Sequence, residues 1–289
     1  MQFVKSQGAG NDFVMIEDLQ DRIRVGAEMV RLLCDRHFGI GADGLIRVAP
    51  ATDADFFMDY YNADGEPAEM CGNGIRCLAK FVADRGLVGG DKLRVGTRAG
   101  IKDLELFRGP GGDVERVRVD MGPPVIERKR IPLSGPGDDA LRETIEVDDF
   151  TFIATALSMG NPHCVLFVTD LDAVPFGYLG PTIEMLPLFP QRANIEFVQV
   201  LNRNEVRSRV WERGVGETLA CGTGACAIAV ASSLRGFTER QVAVKLPGGT
   251  LDIDWASDGR VFMTGPAEEV FRGTLDPRFV SHHVKTETV

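Results

Sequence analysis

The sequence predicts an α+β protein of two pseudo-symmetric domains, each a β-rich sheet or barrel wrapped around a central buried helix. Three observations carry this. Residues 71–86, CGNGIRCLAKFVADRG, align without gaps to residues 221–236, CGTGACAIAVASSLRG, with six of sixteen positions identical. The same offset of 150 lays Gly10-Asn11 on Gly160-Asn161, and two separated segments sharing one offset mark a duplication. Short β-rich runs are plentiful, whereas helical periodicity is scarce. A chain of 289 residues suits one large domain or two of about 145.

Taken in order, β-type runs fall at residues 3–5, 13–16, 92–95, 104–107, 116–120, 164–168, 195–200, 206–211, 242–246, 251–255 and 261–263. Gly, Pro and Asp punctuate them, as in residues 108–113 (RGPGGD) and 246–249 (LPGG). A first helix is expected over residues 26–36. In the first repeated segment Ile75, Leu78, Ala79 and Val82 fall at i, i+3, i+4 and i+7, and Gly86 suits a helix stop. In the second, residues 225–231 are apolar on every side, so that helix is expected to be buried all round and to end at Gly236. Seams at residues 121–124 (MGPP) and 264–266 (TGP) divide the chain into residues 1–121 plus 266–289, and residues 122–265. Residues 134–139 read as a surface loop, and residues 281–289 as a short polar end.

Composition narrows the function. Apolar residues make up 44% and charged residues 26%, enough to bury a core. Lys and Arg number 32 against 42 Asp and Glu, a net charge of −10 that leaves no basic surplus for nucleic acid. No apolar run approaches a signal peptide or a membrane span, so a cytoplasmic protein without membrane partners is expected. The six cysteines are then thiols. Their intervals are not those of a zinc ribbon, so no metal site is expected. Cys34, Cys77, Cys164 and Cys226 read as small buried hydrophobes.

Cys71 and Cys221 differ, because each precedes a buried helix and is followed by Gly-x-Gly. A helix start favours an anion, Gly72 and Gly222 allow close approach to the backbone, and a thiol there is expected to titrate below about 8.5. If the repeat brings both helix starts to one cleft, one carboxylate could be held between two thiols. One thiolate would take the α-proton of a carbon acid, and the opposite thiol would return a proton to the other face. Helix dipoles could carry the developing charge without metal or PLP.

Several motifs then resemble those of the diaminopimelate epimerase family: GAGNDFV (8–14), FGIGADG (38–44), YNADGE (61–66), MCGNGIRC (70–77), SMGNPHC (158–164), ANIEFV (193–198), WERGVGET (211–218), ACGTGAC (220–226) and LPGG (246–249). The resemblance runs over essentially the full length. It implies cofactor-independent interconversion of LL- and meso-diaminopimelate on the way to lysine, and two pseudo-symmetric domains, often in a homodimer. By the same resemblance Cys71 and Cys221 are the catalytic pair. Gly72, Asn73, Gly222 and Thr223 hold the reacting carboxylate. Asn11, Asn62, Asn161, Asn194, Glu212 and Arg213 bind substrate, mostly at its distal end, with His163 and Glu212 supporting catalysis. Two positions depart from some relatives: Gly44 stands where they carry Gln, and Phe271 where they place Tyr. Competing readings are a proline racemase or hydroxyproline epimerase, and a dithiol redox sensor. A phenazine-type isomerase is disfavoured because that branch lacks the cysteine pair.

Overall fold

The computed structural model describes residues 1–279. In chain order the elements are β1 (Gln2–Gly8), β2 (Asn11–Glu17), α1 (Ala27–Cys34), β3 (Gly44–Ala49), β4 (Phe56–Asn62), α2 (Gly72–Asp84), β5 (Lys92–Thr97), β6 (Gly100–Arg108) and β7 (Val114–Gly122). There follow β8 (Glu143–Val147), β9 (Phe150–Ser158), β10 (Pro162–Phe167), α3 (Phe176–Glu184), β11 (Asn194–Asn202), β12 (Glu205–Glu212), β13 (Gly216–Thr218) and α4 (Gly222–Leu234). The last strands are β14 (Gln241–Leu246), β15 (Gly249–Trp255), β16 (Val261–Pro266) and β17 (Glu268–Thr274). The polar end at 281–289 lies outside the described residues.

The chain divides into two compact units, Met1–Val119 with Gly265–Val289, and Asp120–Thr264. In the first unit the strands pair in the order β17, β1, β2, β3, β4, β5, β6, β7. Two of those steps, β2 to β3 and β4 to β5, are parallel. A parallel step needs a crossover, and α1 and α2 supply the two. Strand β2 is covered on both faces. Val14 and Ile16 join Met29, Val30 and Leu33 of α1, whereas Phe13 lies against Gly74 of α2. All four residues Phe13–Ile16 are therefore buried, and the strand reads as an apolar run without alternation. Helix α2 touches β1, β2 and β17 near one end of the sheet and β6 near the other, so the sheet curls around it.

The second unit repeats this plan. Its pairing order is β8, β9, β10, β11, β12, β14, β15, β16, with β13 as a short hairpin arm on β12. The parallel steps again fall at β10 to β11 and β12 to β14. Helix α3 serves the first crossover and α4 the second. Register matches as well: Phe13 pairs with Gly44 in one unit, and His163 with Asn194, each 150 further on, in the other. Helix α4 packs against β9, β10, β11, β14 and β15, and from Ala225 to Ser232 every residue is buried.

Candidate active site

Both helices open on a cysteine, and the two openings are near-copies. Cys71 caps α2 with φ −132° and ψ 120°, and its Sγ accepts from the Gly74 N–H at 3.5 Å. Cys221 caps α4 with φ −123° and ψ 116°, and its Sγ accepts from the Gly224 N–H at 3.4 Å. Sulfur takes the role that a Ser or Asp oxygen fills at most helix starts, beside the positive end of the dipole. Gly72, Asn73, Gly222 and Thr223 form the first turns, so their backbone lies where an anion is favoured.

In the first unit a polar chain runs back from the thiol. The Cys71 S–H donates to Asn11 Oδ1 at 3.5 Å, and Asn73 Nδ2 donates to the same oxygen at 3.3 Å. Asn11 Nδ2 donates to Asp43 Oδ2 at 2.7 Å, which fixes the orientation of the amide. Behind it Asp12 is held by Lys5 at 2.7 Å and by Arg36 at 2.8 Å, and Arg36 also reaches Asp43. Asn62, exposed at the end of β4, accepts from the Tyr60 hydroxyl at 2.8 Å. Gly44 lies opposite Asn62, and a Cβ there would come within 2.7 Å of Tyr60 Cε2 and 2.6 Å of Tyr61 O. Tyr60 thus fills the space into which a side chain at residue 44 would grow.

The second unit places other chemistry on the same frame. His163, on β10, and Glu196, on β11, are fully buried, with Nδ1 and Oε1 2.6 Å apart. His163 Nε2 lies 3.0 Å from Asn161 Oδ1. A Cβ on Gly224 would sit 3.1 Å from Glu196 Oε1, so the hydrogen-bonded His163–Glu196 pair stands directly behind the Cys221 turn. Cys221 Sγ lies 3.5 Å from Thr223 Oγ1. Glu212 Oε1 accepts from Thr218 Oγ1 at 2.6 Å. Asn194 is buried; it donates to Pro162 O at 2.9 Å and accepts from the Arg213 N–H at 3.0 Å. The Arg213 side chain is exposed.

One expectation needs correction. The helix start was expected to lower the Cys221 thiol, but burial pushes it well above its ordinary value, and the Glu212 and Glu196 carboxylates push the same way. The N–H of Gly224 and the Thr223 hydroxyl act in the opposite direction and are outweighed. Burial likewise raises Cys77 and Cys34 to about 12 and Cys164 well above the usual thiol range. With Cys226 they are buried fillers. Sequence reasoning missed Glu196. Its one signal was an acidic residue inside the apolar strand Asn-Ile-Glu-Phe-Val, which only a buried partner accommodates.

Among the described residues no group of three or more His, Cys, Asp or Glu is placed to hold a metal ion. None of their helices is long and apolar enough to cross a membrane.

A family model described as diaminopimelate epimerase matches residues 3–127 and 155–270. The chain belongs to the diaminopimelate epimerase family. It is 53% identical over 275 residues to the diaminopimelate epimerase of Moorella thermoacetica, a match covering 94% of this chain and 98% of that one. The same protein of Pelotomaculum thermopropionicum is 51% identical over 275 residues, at the same coverage. Membership makes the chain an isomerase. Among solved structures, a phenazine biosynthesis protein of the PhzF family from Bacillus anthracis superposes with a TM-score of 0.70 at 17% identity, covering 96% of this chain and 99% of that one. A probable proline racemase from Agrobacterium radiobacter with bound carbonate gives 0.68 at 15% identity, covering 96% and 93%. At such identities these two share the fold with the epimerase family and nothing finer.

Proposed function

We propose that the protein interconverts LL- and meso-2,6-diaminopimelate without PLP or metal, with Cys71 and Cys221 acting on opposite faces of one carbon. The observation that supports this most is the pair of cysteine caps, alike in backbone angles and in the N–H that each sulfur accepts. In one direction the Cys71 thiolate takes the Cα proton. The electron pair left on carbon spreads into the carboxylate, which the N–H groups at Gly72, Asn73, Gly222 and Thr223 stabilise. The Cys221 S–H then delivers its proton to the opposite face. Cys71 ends as thiol and Cys221 as thiolate, so the reverse reaction starts from the other side. Burial favours the neutral form of Cys221, which suits a proton donor.

In this reading Asn11, Asn62, Asn161, Asn194, Glu212 and Arg213 hold the rest of the substrate. Arg213 offers a planar fork to the distal carboxylate and Glu212 an acceptor to the distal ammonium. His163 supports the Cys221 side, held by Glu196 and Asn161. The duplicated halves, residues 1–121 plus 266–289 and 122–265, each supply one thiol. In this reading the reaction serves lysine biosynthesis and takes place in the cytoplasm. A homodimer fits the exposed Val270 and Phe271 of β17, where Phe271 meets Phe3 edge-on at 6.0 Å.

Turnover of LL-diaminopimelate in D₂O without added cofactor tests the whole reading. Formation of the meso isomer with deuterium at the inverted carbon is expected, and L- and D-proline are expected to stay unchanged. Cys71→Ser and Cys221→Ser are each expected to lose at least ~100-fold in epimerisation while remaining folded by circular dichroism. Near-normal turnover by either variant rules out the paired-thiol mechanism.

A further inference from the structure

The turn that carries Arg213 is pinned from outside by a carboxylate that the reaction itself does not use. Glu184 is the last residue of α3 and only 5% exposed. Its Oε1 accepts from the Gly214 N–H at 2.8 Å, and its Oε2 accepts from Trp211 Nε1 at 2.8 Å. Arg192 Nη1 approaches Oε1 to 3.7 Å. A negative charge at a helix C-terminus meets the negative end of the dipole, and burial adds a desolvation penalty. Helix formation therefore gives no reason for a Glu at this position. The turn does. Its three successive N–H groups are taken by Asn194 Oδ1 at Arg213, by Glu184 at Gly214, and by Glu212 O at Val215. The indole beneath is fitted to the helix, since a Cβ on Gly180 would meet Trp211 at 2.9 Å.

The duplication supplies an internal comparison. At the matching turn of the first unit, Gly65 N–H bonds Asn62 O, as Val215 N–H bonds Glu212 O. There Ala63 N–H bonds Asp43 O, and the position equivalent to Glu184 is the buried Cys34. The buried carboxylate is thus found behind the turn that bears the charged pair Glu212-Arg213, and the equivalent position, at the end of α1, carries a thiol.

We infer that Glu184 is a positioning residue for substrate selection. It sets the backbone of residues 212–216, and so the origin of the Arg213 side chain that grips the carboxylate at the substrate's non-reacting end. This rests on the reading of Arg213 as a substrate-binding residue. In Glu184→Gln one acceptor oxygen becomes an amide N–H₂, which must oppose either the Gly214 N–H or the indole N–H, donor against donor.

Steady-state kinetics with LL-diaminopimelate test this on Glu184→Gln, Arg213→Ala and the double variant Glu184→Gln/Trp211→Phe. KM is expected to rise ~10-fold in Glu184→Gln, the scale of one lost hydrogen bond to a charged group, with kcat within about threefold. Removing the indole N–H frees the amide to turn its oxygen to Gly214, so the double variant is expected to recover much of the lost KM. A merely structural role would make the double variant worse. If Arg213→Ala raises KM and Glu184→Gln leaves it unchanged, the role of Glu184 is overturned and that of Arg213 stands. An unchanged KM in Arg213→Ala overturns the underlying reading instead. Should Glu184→Gln fail to fold, Glu184→Asp keeps the charge and shortens its reach; the same rise in KM is expected, and an unchanged KM overturns the inference.

Discussion

Burial is the largest influence on the Cys221 thiol, and the Glu212 carboxylate is the next. An anion nearby disfavours thiolate, so Glu212→Gln is expected to lower the pKa of Cys221 and increase the thiolate present at a given pH. Alkylation of Cys221 by iodoacetamide, followed by mass spectrometry at about pH 8, is expected to speed up several-fold in that variant; no change would remove Glu212 from the thiol's surroundings. Asp12 illustrates the opposite balance. Burial would raise it, but hydrogen bonds from Arg36 and Lys5 outweigh that and hold it at about 2, below its ordinary 3.8. A carboxyl held low stabilises the fold above its unfolded pKa and loses that contribution as the pH falls. Asp12→Asn is therefore expected to be less stable by roughly 2 kcal/mol near neutrality, with the gap closing between about pH 4 and pH 2. Urea unfolding across that range measures it. The thiols and amides of the candidate site stand out in the sequence because they recur at one offset or stand in motifs. Glu196, Glu184 and Asp43 do not, because only the fold brings their hydrogen-bond partners close.

At the scale of elements, the helices that carry the thiols also end alike. Gly86 N–H bonds Ala83 O and Leu87 N–H bonds Val82 O; Gly236 N–H bonds Ser233 O and Phe237 N–H bonds Ser232 O. Both glycines are left-handed, with φ +69° and +72°, and a Cβ on either would meet nothing within 4 Å. The penalty of substitution is then backbone strain alone. Gly86→Ala and Gly236→Ala are each expected to lower stability by about 1 kcal/mol with the helix and its thiol in place. Thermal unfolding reads this, and unchanged melting in both would show that the left-handed turn is not required. The helix ends were legible from these glycines. Strands β3 and β4 were not, because residues 44–49 and 56–60 are mostly buried, with little polar alternation. Helix α3 was missed for another reason: Gly177, Gly180 and Pro181 lie within it and read as loop. Its packing on β8, β11 and β13 overrides that weak propensity.

The whole molecule is one plan used twice, and the duplication seen in two sequence segments extends to strand order, parallel steps and register. Elsewhere the halves have diverged too far for the offset to be read from residues; Phe13 and Ile46 in one unit stand where His163 and Glu196 stand in the other. The first unit takes its last strand from the far end of the chain. Six residues of β1 are in register with β17, and Arg76, fully buried in α2, donates to Pro266 O at 3.1 Å. Ending the chain after Thr264 is expected to leave β1 as an open edge and a buried guanidinium short of an acceptor. Loss of cooperative melting and of soluble yield in that truncation would bear this out; a fully active, cooperative product would not. The same threading orders events during synthesis. Residues 120–264 form an uninterrupted unit and can close as soon as they leave the ribosome, whereas the half begun first must wait, one strand short, until residues 268–274 follow.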